Sequence, residues 1–157
     1  MEPWRRVFRE GIAPQLPLPA LEALRLGLLK NDPRLRPGST VEESWTAAGI
    51  RIIQGCAIGY GAWKGIHLES ARDVERFFSE VCSAANETLG DPGAVGHFIS
   101  WFDSHRREFV FPLLLSEVNR AIAYRVTQDT DEELFDDPDQ ADDRPSPTDS
   151  TPLLNNE

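Results

Sequence analysis

Between Ile53 and Glu69 the chain reads IQGCAIGYGAWKGIHLE, which sets a thiol (Cys56), an amine (Lys64), an imidazole (His67) and a carboxylate (Glu69) beside Tyr60 and Trp63. Spacing decides what chemistry that inventory can support. A phosphate loop requires G-x-x-x-x-G-K-[ST], but Lys64 is followed by Gly65, and no hydroxyl stands where Mg²⁺ would need one. The dinucleotide fingerprint G-x-G-x-x-G is absent, and no βαβ unit surrounds the stretch. A nucleophilic Cys56 would need an imidazole base, and the nearest, His67, lies across an expected break in structure. Cys82 falls inside an apolar stripe, where a thiol behaves as a small hydrophobe. No catalytic group is assigned. What survives is a ligand-binding edge made of Tyr60, Trp63, Lys64, His67 and Glu69, which a glycine-rich turn would expose together.

Metal and cofactor chemistry are not expected. His97 and His105, eight residues apart, would stand about 12 Å apart on one helix, too far to share an ion. Asp103 between them suits a capping role better than a ligand role. His97 and Trp101 are four residues apart, on the helix face opposite Phe98 and Phe102, and either pack against a neighbouring helix, the commoner outcome, or form a candidate partner-binding patch. Arg106 and Arg107, in SHRRE, are the compact basic cluster of the second half, suited to an anion, to Glu108 or to the chain's own acidic end. Leu134 and Phe135 stand among carboxylates in DEELFDDP, the pattern by which an acidic segment docks on a basic, apolar groove.

The charge is unevenly placed. Of the formal −10, all resides from Thr127 onward, where eleven acidic residues face a single Arg144, so residues 1 to 126 are neutral. A neutral body lacks the basic footprint of phosphate-backbone binding, and direct contact with nucleic acid is not expected. Two cysteines are too few for a disulfide scaffold. The first residues, MEPWRRVFREG, carry no apolar signal core, and no stretch approaches the ~20 apolar residues of a membrane span, so a cytoplasmic protein without membrane contact is expected.

Helix signals dominate the elements that would position these groups. Pro3 opens a helix with Trp4, Val7, Phe8 and Ile12 at helical spacing, and a second begins near Pro19 with Leu21, Leu24 and Leu28 on one face. Thr40 with Glu43 reads as a capping box for a third helix carrying Val41, Trp45 and Ala48. Residues 50 to 61 fit either a helix continuing that stripe or a strand. Three glycines would cost a helix about 3 kcal/mol unless a tertiary contact uses them, but a lone strand has no partner, and the helix is preferred. Ser70 with Asp73 caps a strong helix whose stripe runs from Val74 to Leu89, with Gly90 as its stop. Asp91 and Pro92 open a helix through Trp101, and Ser104 caps a last helix in which Pro112 predicts a kink or break near Phe111.

The segments WRRVFREGIAPQL, NDPRL and WFDSHRREFVFPLLLSEV resemble those of a family of short, uncharacterised bacterial proteins. The resemblance covers most of residues 4 to 122 and implies a bacterial cytoplasmic domain; it carries no activity and no site residue. The expected architecture is all-α: a compact bundle of five to seven helices over residues 1 to 126, followed by a disordered acidic tail over residues 127 to 157. The expected function is that of a non-enzymatic interaction or adaptor protein, its tail tuning or making contact with a basic surface on a protein partner. The alternative is a small ligand-binding protein or enzyme with its pocket around residues 55 to 69.

Overall fold

The computed structural model describes the chain from Met1 to Phe135. It divides into a body, Met1–Arg125, and a second unit that begins at Val126. The expectations placed on residues 136 to 157, and those on the side chains of Leu134 and Phe135, lie outside the described residues.

The body is mostly helical. Helix α1, Pro3–Arg6, continues into a π-helical turn, Val7–Ile12, and a 3₁₀ turn, Ala13–Gln15. Trp4, Val7, Phe8 and Ile12 are all buried along this segment, as their spacing predicts. Helix α2, Leu18–Leu29, has Pro19 in its first turn and buries Leu21, Leu24 and Leu28. These residues meet Leu35, Ile58, Val110, Leu114 and Val118 in the main core, where each aliphatic side chain is worth about 1.5–3 kcal/mol of transfer free energy.

The region that follows corrects the all-α expectation. Val41–Thr46 is a strand, β1, and Gly49–Gly55 is a second, β2; they pair antiparallel across a turn at Ala47 and Ala48, with a bulge beside Glu42 and Glu43. The helix expected to carry Val41, Trp45 and Ala48 does not form. Glu43, expected to complete that helix's capping box, instead accepts a hydrogen bond from the Ala71 amide at 2.9 Å, at the start of a later helix. The strand expected to lack a partner has one, because Val41–Thr46, whose spacing predicts a helix, is extended and pairs with it. Only the second half of the ambiguous stretch is helical, as α3, Ala57–Gly65. One hairpin face is buried at its base, where Val41 and Ile52 meet Ala62 and Val74. Further out on the same face, the cross-strand pair Trp45 and Ile50 is 79% and 45% exposed.

The glycines of α3 are used for close approach. A Cβ on Gly59 would overlap the backbone carbonyl of Thr40, one on Gly65 would overlap that of Pro19, and one on Gly61 would sit 3.0 Å from the Ala20 oxygen. Each is the tertiary contact that a glycine-rich helix needs if its low propensity is to be offset.

Helix α4, Ala71–Leu89, follows its sequence signals closely. Ser70 accepts from the Asp73 amide, Val74, Val81 and Ala85 are buried, and Gly90 ends the helix at φ +67°. Helix α5, Ala94–Ser104, starts after a turn held by Asn86, whose side chain accepts from the Val95 amide and donates to the Pro92 carbonyl. Ser104 is the last residue of α5 and not the cap of the next helix; its hydroxyl donates to the Ser100 carbonyl. Of the kink or break expected near Phe111, the break does not occur: helix α6, Arg107–Phe135, runs through Pro112 as one element. The acceptor that Pro112 leaves without a donor is the carbonyl of Glu108, an exposed first-turn residue to which water has access. The same helix extends through Phe135, so residues 127 to 135, assigned to the tail by composition, are helical. Among the described residues, no helix is long and apolar enough to cross a membrane.

Candidate functional site

The site is built from the two ends of the body's sequence. Helix α1 is fixed to α6 by Glu117, a carboxylate only 3% exposed. It accepts hydrogen bonds from Arg5 Nη1 at 2.8 Å and from Arg9 Nε and Nη2 at 2.9 and 2.7 Å. Burial pushes the Glu117 carboxyl up, but hydrogen bonds from Arg9 and Arg5 outweigh it and hold it below its ordinary value. The Arg5 guanidinium also lies 4.7 Å from the ring centre of Trp4. One buried carboxylate thus sets the position of Trp4.

Trp4 stacks on Trp101 of α5, with ring centroids 3.6 Å apart and planes 2° from parallel. A near face-to-face pair is not what two aromatic quadrupoles prefer, and the Arg5 cation on Trp4 compensates for that repulsion. The series continues outward: Trp101 meets the ring of His105 at 6.3 Å, and His105 stacks on Phe109 at 5.4 Å. Inward, Phe98 links Trp101 to Phe8 in the core. His105 Nδ1 lies 2.9 Å from the Trp101 carbonyl, which can only accept, so Nδ1 carries the hydrogen and fixes the ring.

These residues line a groove of about 350 Å³, with Glu2 and Pro3 on the α1 side and His97, Ser100 and Ser104 along α5. The floor is deeply buried, Trp4 being 3% and Trp101 7% exposed, while Phe109 at the rim is 51% exposed. Both indole N–H groups are buried and have no hydrogen-bond partner among the described residues. A buried donor left unpaired costs about 1–3 kcal/mol, so two within one stacked pair of rings is an unusual expense.

Of the residues singled out from sequence, His97 and Trp101 come together here, the first exposed and the second buried. Arg107 does not join them as a free cation. Its guanidinium donates to Asn31 Oδ1 at 2.8 Å, to the Asp32 carbonyl at 3.2 Å and to the Leu35 carbonyl at 2.6 Å, fastening the start of α6 to the loop after α2. Arg106 is exposed.

Of the expected ligand-binding edge, Tyr60, Trp63 and Lys64 pack together, whereas His67 and Glu69 do not join them. Tyr60 is buried and donates to Asp32 Oδ2 at 2.6 Å, while Arg34 holds both oxygens of the same carboxylate at 3.0 and 2.8 Å. Hydrogen bonds from Arg34 hold Asp32 well below the usual carboxylate range against its burial, and Tyr60 contributes in the same direction. Burial and the neighbouring Asp32 push the Tyr60 hydroxyl up. Trp63 meets Tyr60 edge-on at 6.0 Å and carries Lys64 Nζ at 4.7 Å from its ring centre. His67, at φ +61°, and Glu69 are exposed beyond the end of α3. Neither the Trp4–Trp101 groove nor the cleft beside Cys56 is lined by any of these five residues.

Cys56 lines a small cleft of about 80 Å³ between α3 and α5, with Phe98, Phe102 and Asp103. Burial pushes its thiol up to about 11, and does the same for Cys82. Both are poor nucleophiles near neutral pH. Asp103 accepts a hydrogen bond from the Gly38 amide at 3.2 Å, tying α5 to the loop before β1. Among the described residues, no group of three or more His, Cys, Asp or Glu side chains is placed to hold a metal.

Sequence reasoning missed Trp4 as a site residue because its spacing marks it as core. Its pairing with Trp101 across 97 positions is a tertiary fact with no local signal. Comparison of the chain with protein-family models, with curated proteins and with solved structures finds no match.

Proposed function

We propose that this protein is a non-enzymatic interaction protein, and that the Trp4–Trp101 groove is the surface with which it takes hold of a segment of a protein partner. The observation that carries this reading is the open groove floored by the stacked Trp4 and Trp101 rings and rimmed by the half-exposed Phe109. The aromatic series from Trp4 to Phe109 offers the rigid, amphipathic contact area from which interface hot spots are built. The acidic C-terminal segment tunes the contact by favouring a partner whose surface is basic around the bound segment.

The test is selection from a random peptide library on the full-length chain, followed by binding measurements on a Phe109→Ala variant. Phe109 is half exposed, so its truncation leaves the body folded. Selected peptides that lose affinity for the variant support the reading. Selection that enriches no peptide, or enriches peptides indifferent to Phe109, overturns it.

A further inference from the structure

Helix α2 carries more apolar surface than the core uses. Along Leu18–Leu29 only Glu22 and Arg25 are polar. Leu21, Leu24 and Leu28 are buried in the main core, but Leu26 and Leu29 are 49% and 54% exposed on the other side. At about 100° per residue these two leucines lie within about 60° of each other, with Glu22 between them on the same outward face. A helix that is apolar nearly all round is one that is covered nearly all round. Leu29 also lines a groove of about 300 Å³ with Leu28, Phe111, Pro112 and Leu115, so the apolar surface continues from α2 onto the start of α6.

The charges around this stripe point to its occupant. Glu22 stands four residues before Leu26, and Lys30, at the end of the helix, four residues after it; both are exposed. Neither makes an ion pair among the described residues. A covering helix that satisfies both must present a cation opposite Glu22, a carboxylate opposite Lys30 and an apolar side chain between them. A second α2 running antiparallel does this. About a two-fold axis at Leu26, residues equally far before and after that position face each other. Leu26 then meets Leu26, Glu22 of each copy meets Lys30 of the other, and Leu29 meets the small Ala23. A parallel copy would set Glu22 against Glu22. Residues 1 to 126 carry no net charge, so the bodies bring no repulsion of their own. We infer that α2 is a self-association surface, on which the chain pairs with a second copy of itself, antiparallel about Leu26. Two exposed leucines and one groove are less than the about 800 Å² per partner of a standard interface, so the pairing is weak and reversible, in the high micromolar range. No residue of α2 lines the Trp4–Trp101 groove, so the dimer presents two such grooves at once.

The experiment is sedimentation equilibrium of the full-length chain from about 10 μM to about 1 mM, at an ionic strength of about 0.15 M, where the acidic C-terminal segments are screened. The expected result is a reversible monomer–dimer equilibrium. Leu26→Asp weakens it at least about tenfold, and because Leu26 is half exposed the body stays folded, as circular dichroism checks. Glu22→Lys and Lys30→Glu each turn both ion pairs of the dimer into like-charge contacts, and each weakens it at least about fivefold. The double variant Glu22→Lys with Lys30→Glu restores the wild-type constant within about twofold. The two single variants, mixed in equal amounts, pair with each other in preference to themselves, which only an antiparallel register about Leu26 provides. Arg25, on the flank of the stripe, meets no counter-charge in this arrangement, so Arg25→Ala does not weaken the dimer. A chain that stays monomeric to about 1 mM overturns the inference. So does a dimer indifferent to Leu26→Asp, which would form through another surface, or one that the double charge reversal fails to restore.

Discussion

Replacing Glu117 with alanine tests how the groove is held in place. The carboxylate is 3% exposed and accepts three charge-assisted hydrogen bonds from Arg5 and Arg9. Removing one partner of a buried ion pair costs about 3–5 kcal/mol, because the remaining charges lose their counter-ion. Here the arginine side chains are 22% and 28% exposed, so water takes up part of the loss and the lower end applies, about 3 kcal/mol. In a domain of this size that corresponds to a fall in Tm of about 10 °C. The loss is also pH-dependent. Glu117 titrates below its ordinary value in the folded state, so its contribution is complete above about pH 5 and is lost as the pH falls through the folded value. The difference in stability between wild type and Glu117→Ala therefore shrinks on acidification. Urea denaturation at pH 7 and at pH 3.5 measures both effects, and the stacked indoles report through near-ultraviolet circular dichroism, which weakens as α1 loosens. A loss below about 1 kcal/mol at pH 7 would refute the argument. So would an equal loss in a protein already lacking both Arg5 and Arg9, since a coupled cluster is non-additive.

Three further outcomes follow from the packing. Gly59→Ala destabilises by about 3 kcal/mol or more, because the new methyl meets the Thr40 backbone, whereas Gly96→Ala, with open space around it on α5, stabilises by about 0.5–1 kcal/mol; thermal melts of the two variants should move in opposite directions. Tyr60→Phe costs about 1–2 kcal/mol through the lost hydrogen bond to Asp32, as read from the denaturation midpoint, and it leaves peptide binding at the groove unchanged. At pH 8 only about one thiol in a thousand is ionised at Cys56 and Cys82, so alkylation of the folded chain runs at least about a hundredfold slower than in denaturant.

Much of the fold can be read directly from local signals. Ser70 and Asp73 mark the start of α4 and Gly90 marks its end because each satisfies or terminates helix hydrogen bonding within a few residues of itself. The hairpin was hidden because Val41, Trp45 and Ala48 repeat at helical spacing, and Thr40 with Glu43 imitates a capping box. The turn residues Ala47 and Ala48 lack the Asn-Gly or Asp-Gly signature of a tight hairpin. The discriminating clue was present in Ile50, Ile52 and Ile53, whose branched side chains suit a strand, together with Gly49, which adopts φ +104°. The glycines from Gly55 to Gly65 were legible as a close-packing seam, though not as one closed by the Thr40 carbonyl and the start of α2. Of the candidate site, the four-residue spacing of His97 and Trp101 was visible, but Trp101 is buried in the core with Phe98 and Phe102 and does not lie on the face opposite them. Trp4, Phe109 and the unpaired donors were not visible, because which buried polar atoms lack partners is decided by tertiary contacts.

The most direct measurement is a titration of ¹⁵N-tryptophan-labelled full-length chain with a peptide selected on it from a random library. If the groove is the docking surface, the indole resonances of Trp4 and Trp101 shift together as the groove fills, and those of Trp45 and Trp63 stay in place. Saturable binding that leaves Trp4 and Trp101 unmoved, with Trp45 or Trp63 responding instead, would contradict it.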